Sequence, residues 1–330
     1  MAAPLAETMR AAYVERLGPV EEIVVGELGV PVPGPTDVLV AAELVAANPV
    51  DTLVRSGRYP TSVPFPFVVG RDVVGTVVAA GPGTPFDVGE RVWSNSLGHD
   101  GRQGSFSEYA VVPAERCYRL PGGVDAGLAA AVAHPAATAY LAWFVHGDLR
   151  PGRWVYVGGG GGNVGSAAIA MARRAGARVL ASAQPRDHDR CRKAGANVIF
   201  DYRDPDLAGH LRSAAPGGVD VFWETSGHHD VDLAADSVVT GGRVLLSAAT
   251  DERPAFPVRD LYTRNVSLHG FVISRATVSQ LADAARLIND MLVAGQLSAR
   301  IAEVLPLQAT GQVHARLEAG AVTGRLLVRP

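Results

Sequence analysis

The first place in this sequence where residue types and spacing could do chemistry is a run of glycines at 158–162 closed by Gly165. Gly160-Gly161-Gly162-Asn163-Val164-Gly165 has the spacing G-x-G-x-x-G. Trp154-Val155-Tyr156-Val157 before it reads as a strand, and the small-residue run from Val164 onward reads as a helix, which is the context the motif requires. The first glycine permits a tight turn, the second lets backbone approach a pyrophosphate, and the third lets helix and strand pack closely. The phosphates then sit at the helix N-terminus, where backbone N–H groups and the helix dipole favour anions. The expected contacts of such a dinucleotide are Gly160, Gly162, Asn163, Val164 and Gly165.

The next strand, 178–182, should end on Asp or Glu if the ligand is NAD, because an acid there binds the ribose 2′-hydroxyl. It runs instead into Ser182-Ala183-Gln184-Pro185-Arg186. An arginine at this point can hold a 2′-phosphate with charge-assisted bonds, and Ser182 could add a hydroxyl. Arg186 and Ser182 therefore favour NADPH. Asp187 and Asp189, beside the arginine, keep NADH as the alternative.

Other polar residues read as structural first. Asp51 and Arg55 read as a structural pair rather than as direct participants in chemistry. His134, before Pro135, titrates near neutrality and could donate a proton, although a structural role is the commoner one. His228-His229 with Asp230 reads as a loop, not a metal site.

The elements that must position these groups fall into two kinds. The first third is β-rich, with apolar runs at 38–45, 73–78 and 109–112 separated by turns such as Pro31-Val32-Pro33-Gly34-Pro35 and Gly81-Pro82-Gly83. Short strands between turn signals suggest a partly open barrel. Residues 125–145 read as helix. Strands at 154–157, 178–182, 197–200, 219–223 and 242–247 then alternate with helices at 164–175, 187–194, 207–214 and 231–239, the succession of a doubly wound parallel sheet. A strand at 267–273, an amphipathic helix at 278–294 and a last strand at 324–328 follow. The fold expected is α/β: a Rossmann domain (132–266) inserted into a barrel-like domain (9–131 and 267–330), with 1–8 a mobile tail.

Bulk composition narrows the function. The chain has 330 residues, a net charge of −3, 48% hydrophobic and 19% charged residues. That is an ordinary globular balance, and without a basic block neither nucleic acid nor an acidic membrane is the expected partner. One lysine, Lys193, stands among 30 basic residues, which reads as codon bias. Two cysteines, Cys117 and Cys191, exclude a disulfide framework and a four-cysteine zinc lobe, and fit a reducing cytoplasm. No signal peptide and no apolar stretch long enough to span a bilayer is expected.

Several short segments, in order and spacing, resemble one family. They are Asn48-Pro49-Val50-Asp51-Thr52 with Arg55-Ser56-Gly57, Gly70-Arg71-Asp72-Val73-Val74-Gly75, Asp87-Val88-Gly89-Glu90-Arg91-Val92 and Gly104-Ser105-Phe106-Ser107-Glu108-Tyr109. The glycine loop, Ala194-Gly195-Ala196 and Gly324-Arg325-Leu326-Leu327-Val328 complete the set. From about Met9 to Pro330 the chain resembles the zinc-independent, zeta-crystallin-like quinone oxidoreductases of the medium-chain dehydrogenase/reductase superfamily. Zinc alcohol dehydrogenases share the fold but need Cys or His at the position of Asn48, and a Gly-His-Glu element where this chain has Gly70-Arg71-Asp72. Arginine cannot ligate zinc, so no zinc is expected.

The resemblance implies a GroES-like first domain and specific roles. Asn48 lies beside the nicotinamide and Tyr59 lines the substrate cleft, the two catalytic candidates. Thr138 packs on the nicotinamide, Tyr202 helps hold the 2′-phosphate, and Ser247, Ala249, Phe271 and Val272 run along the cofactor. The family often has tyrosine where Leu53 stands, and lysine where Asp187 stands, so that Arg186 must substitute. The implied activity is NADPH-dependent reduction of a quinone or an α,β-unsaturated carbonyl by metal-free hydride transfer. The alternatives are a dedicated biosynthetic enoyl reductase and an NADPH-binding protein with little catalysis. A homodimer joined near 267–273 is the implied assembly.

Overall fold

A computed structural model describes residues 6–249 and 253–330. The chain forms two compact units. The first runs up to His134 and takes in Leu281–Val293 and Ala299–Pro330; the second comprises Pro135–Gln280 and Ala294–Ser298. The chain is thus mixed α/β, with a parallel Rossmann sheet interrupting a GroES-like β domain.

In the first unit the strand Asp37–Ala46 is the hub. It pairs antiparallel with Asp72–Ala80, with Tyr109–Pro113 and with the last strand, Arg325–Arg329. Its Val38, Val40 and Val45 are fully buried, beside Val73, Phe106 and Leu326. Ala46 pairs with Asp72 on one side and with Leu327 on the other, so the segments around 48, 72 and 325 converge at one end of this strand. A smaller sheet of Val24–Gly29, Thr8–Val14 and Phe67–Val68 lies beside it. Of the expected tail, residues 1–5 lie outside the described residues, and Thr8 opens a strand.

The second unit holds six parallel strands. In spatial order they are Val198–Asp201, Arg178–Ala183, Trp154–Gly158, Val219–Glu224, Val238–Leu246 and Ser267–Gly270. The chain winds outward from Trp154–Gly158 in one direction, then returns to its other side, creating the switch point at which open α/β sheets bind ligands. The helix Asn163–Arg174 lies next to the central strand and buries Gly165 through Ala172, all but two of them small. The Trp143 indole N–H donates to Ala168 O at 2.9 Å.

Ser267–Gly270 extends the parallel sheet. The boundary expected at 266/267 therefore moves to 280/281, because that strand takes its hydrogen bonds from Val238–Leu246. It also stops at Gly270 rather than 273, where a 3-10 turn, Ile273–Arg275, begins after two residues. Helix Ala126–Tyr140 continues as a π-helical turn to His146. Contrary to the sequence expectation, Ala126–His146 is long and apolar enough, by length and composition, to cross a membrane, although most of it is buried in the protein.

Candidate active site

The glycine loop is built by close approach. Gly159 sits at φ +68°, which a side chain disfavours. Gly162 N donates to Gly159 O at 2.9 Å, and Gly160 N to Ser182 O at 2.8 Å, tying the loop to the neighbouring strand. Gly162 caps the helix, whose own hydrogen bonds begin at Ser166 N to Gly162 O. The amides ahead of Ser166 face the loop end of the helix, the arrangement that receives a phosphate. A Cβ on Gly165 would come within 2.3 Å of Gly159 O. The cradle thus fits a dinucleotide pyrophosphate and would be filled by any side chain at that point.

Two carboxyls border this loop. Glu224 Oε2 lies where a Cβ on Gly158 would come within 1.8 Å, and Ser226 N donates to its Oε1 at 2.8 Å. Burial pushes the Glu224 carboxyl up from its usual range, against the hydrogen bonds from Ser226. Asp187, buried, packs its side chain against Gly161.

The proposed 2′-phosphate end follows from strand pairing. Arg178–Ala183 and Val198–Asp201 finish side by side, with Ala183 opposite Asp201. The loops leaving them bring Gln184 Nε2 to 3.5 Å from the Tyr202 hydroxyl, and put the Arg203 guanidinium 5.5 Å from the Tyr202 ring centre. Tyr202 is half exposed, and Arg186 is exposed with Nε 3.9 Å from Asp187 Oδ2. Ser182 departs from its expected role. It is fully buried and its Oγ accepts a hydrogen bond from the Tyr156 hydroxyl at 2.7 Å, so it serves the loop through its backbone carbonyl. Gln184 and Arg203 were missed by the sequence reading; the only signal was their position just past two paired strand ends.

Ser247, Ala249, Phe271 and Val272 share one cavity of about 780 Å³ within the second unit. That size is within the range of small-molecule sites. Leu141, His146 and Phe256 add to its walls. Ser247 Oγ accepts from the Trp223 indole at 2.9 Å, and Phe271 lies against both His146 and Trp223. His229 also lines this cavity, its Nε2 against Ala248 O. Thr138, partly buried in Ala126–Tyr140, is not among the lining residues.

The first unit carries the other candidates. Asn48 caps the helix Pro49–Arg55, with its backbone N–H donating to Asp51 Oδ2 at 2.8 Å. Its side-chain amide donates to Asp72 Oδ2 at 3.0 Å and to Ala46 O at 3.3 Å, and the residue is 2% exposed. Asn48 thus belongs to a buried network. Asp72 also meets Arg325 Nη2 at 3.4 Å and His134 Nδ1 at 3.3 Å. Asp51, Asp72, Arg71 and Arg325 form a buried set of two carboxyls and two guanidiniums. Burial, reinforced by Asp72, pushes the Asp51 carboxyl up to about 7; burial pushes both guanidiniums down. The expected Asp51–Arg55 pair does not form. Arg55 instead reaches Glu318 and donates to Gly18 O at 2.7 Å. Tyr59 is half-buried, edge-on to His99 at 5.8 Å, with the Arg71 guanidinium 6.0 Å from its ring centre.

Among the described residues no group of three or more His, Cys, Asp or Glu could hold a metal ion. Around Asn48 the donor set includes the Arg71 guanidinium and no thiolate, so these residues do not fit zinc. Both cysteines are buried and free, and burial pushes their thiols up to about 12 (Cys117) and about 11 (Cys191).

Comparison with known proteins agrees with this geometry. The family described as "Alcohol dehydrogenase GroES-like domain" matches residues 34–122, and that described as "Zinc-binding dehydrogenase" matches residues 163–290. The quinone oxidoreductase of Lama guanicoe is 30% identical over 310 residues, 93% of this chain and 92% of the relative. The chain belongs to the zeta-crystallin-like quinone oxidoreductase family of the medium-chain dehydrogenase/reductase superfamily. It is an oxidoreductase of that family. Among solved structures, a mycobacterial protein complexed with NADPH is 28% identical, with TM-score 0.83, over 98% of this chain and 100% of that one. An NAD-dependent alcohol dehydrogenase is 29% identical, with TM-score 0.87, over the same shares.

Proposed function

We propose that the protein is an NADPH-dependent reductase of quinones or α,β-unsaturated carbonyls that works without a metal. The observation that carries the reading is the largely apolar cavity lined by Ser247, Ala249, Phe271 and Val272, in the same unit as the glycine cradle. Bound NADPH would supply a hydride, and one proton completes the two-electron reduction of the acceptor. The glycine loop and the first turn of Asn163–Arg174 hold the pyrophosphate. Arg186 and Tyr202 hold the 2′-phosphate, with Gln184 steadying the tyrosine hydroxyl. The cavity takes the nicotinamide end of the cofactor along Ser247, Ala249, Phe271 and Val272 and orients the acceptor beside it, and positioning of this kind supplies much of such a rate. Tyr59 is the proton donor in this reading, and Asn48 holds Asp72 and the start of Pro49–Arg55 in place.

Two further features belong to the reading. The strand Ser267–Gly270 is an open sheet edge with Leu268 exposed, which suits pairing with a second copy of the chain. The buried, unpaired thiols suit a reducing cytoplasm.

The test follows the near-ultraviolet absorbance of NADPH and NADH in parallel, with an ortho-quinone and a simple enone as acceptors. Faster loss with NADPH supports the proposal. No loss with either cofactor and either acceptor would reject it. Full turnover by both Asn48→Ala and Tyr59→Phe, with NADPH binding intact, would reject the two assigned roles. The apolar cavity equally suits a single dedicated enone, which would show as strong selectivity for one enone and negligible quinone turnover.

A further inference from the structure

Charge is unevenly distributed over the cavity of the second unit. Its described lining holds no carboxylate and one permanent cation, Arg275. His146, which also lines it, has its imidazole pushed down by burial and by His269, away from the charged form. The His229 ring is engaged by Ala248 O.

Arg275 ends the 3-10 turn Ile273–Arg275, whose last backbone N–H is fixed on Val272 O at 3.1 Å. It is exposed yet lines the cavity, so it stands where the cavity opens to solvent. Its guanidinium makes no hydrogen bond or ion pair with any described residue, whereas the exposed Arg192 and Arg203 of the same unit are each matched to an aspartate. A guanidinium is a planar fork of donors that fits a carboxylate through two parallel bonds. The turn gives that fork a fixed base, and the cavity behind it offers Leu141, Phe256 and Phe271 to an apolar body.

We propose that Arg275 is the specificity-determining residue of the acceptor site, and that the preferred acceptor is an apolar quinone or enone carrying a carboxylate remote from its reducible group. This deepens the function proposed above and rests on it for the statement that the cavity takes the acceptor. The carboxylate meets Arg275 at the mouth while the apolar part enters the cavity. Neutral acceptors of the same shape bind less tightly because they leave the guanidinium unmatched.

The experiment uses the full chain, with para-carboxybenzalacetone and its methyl ester as probes. Equilibrium binding of each is measured calorimetrically in the presence of NADP⁺, and NADPH-driven turnover is measured separately. The wild type should bind the carboxylate roughly fivefold tighter than the ester, the scale of one solvent-exposed ion pair. Arg275→Gln should bring the two affinities together, Arg275→Lys should recover part of the difference, and added salt should erode it. NADPH affinity should be the same in all three proteins. Equal binding of the two probes by the wild type, or binding of neither, overturns the proposal. So does a loss of NADPH affinity in Arg275→Gln, which would assign the guanidinium to the cofactor. If the carboxylate is preferred through Arg275 but neither probe is reduced, the anion site stands and the reductase reading fails.

Discussion

The Tyr156 hydroxyl donates to Ser182 Oγ at 2.7 Å, and both side chains are closed off from solvent. This pair fixes the central strand to its neighbour directly beneath the glycine loop. Ser182→Ala leaves the tyrosine hydroxyl buried without its acceptor, which costs about 1–3 kcal/mol of stability. Denaturant midpoints should fall accordingly, while the ratio of KM values for NADPH and NADH stays constant. A lost NADPH preference at unchanged stability would return Ser182 to the phosphate site.

Arg186 is exposed, and its nearest matched acid, Asp187, is 3.9 Å away. Its guanidinium can therefore swing to a 2′-phosphate without breaking a strong pair. Arg186→Ala should raise the KM for NADPH about tenfold, the scale of one charge-assisted phosphate contact, and leave that for NADH unchanged. Equal effects on both cofactors would mean that the residue acts on the loop as a whole.

Gly165 meets Gly159 O so closely that an added methyl must push the loop aside. Gly165→Ala should lower stability by about 1–3 kcal/mol, as overpacking does. It should also weaken NADPH binding severalfold, since the first-turn amides move with the loop. Fluorescence titration of NADPH, alongside thermal unfolding, separates the two effects.

Asp51 carries the pH dependence. Its carboxyl titrates near 7 in the folded protein against an ordinary value of 3.8, mainly through burial and then through Asp72. The folded state therefore holds the proton across the window between those values. Its contribution is complete below the lower one and is lost as pH rises through about 7, at up to about 1.4 kcal/mol per pH unit. Asp51→Asn keeps an acceptor for the Asn48 N–H and removes that slope. Relative to wild type, the variant should gain stability between about pH 5 and about pH 8. A constant difference across that range would place the Asp51 titration elsewhere.

Local pattern carried the second unit well. Helix Leu207–Ala214 matches its expected bounds, and Trp154–Gly158 and Asn163–Arg174 differ from theirs by one residue or so. Glycine punctuation and a change of period mark these ends in the chain itself. Strands such as Val24–Gly29 and Ile301–Pro306 were missed because they bury few side chains and show no clean alternation. The polar network of the first unit was illegible for another reason. The sequence reading paired Asp51 with Arg55. Tertiary pairing instead draws Arg55 to Glu318 and, through Ala46, gathers Asp51, Asp72 and Arg325. Residues hundreds of positions apart leave no mark in a local window.

The order of the parallel sheet has an evolutionary consequence. The loop bearing Arg186 follows Arg178–Ala183, while Ser247 follows Val238–Leu246, three strands across. At about 4.8 Å per strand that is roughly 14 Å, beyond the separation at which substitutions usually couple. Changes at the two ends should therefore add. A lineage could exchange one nicotinamide cofactor for the other, or one acceptor for another, by independent steps that leave the shared glycine turn untouched.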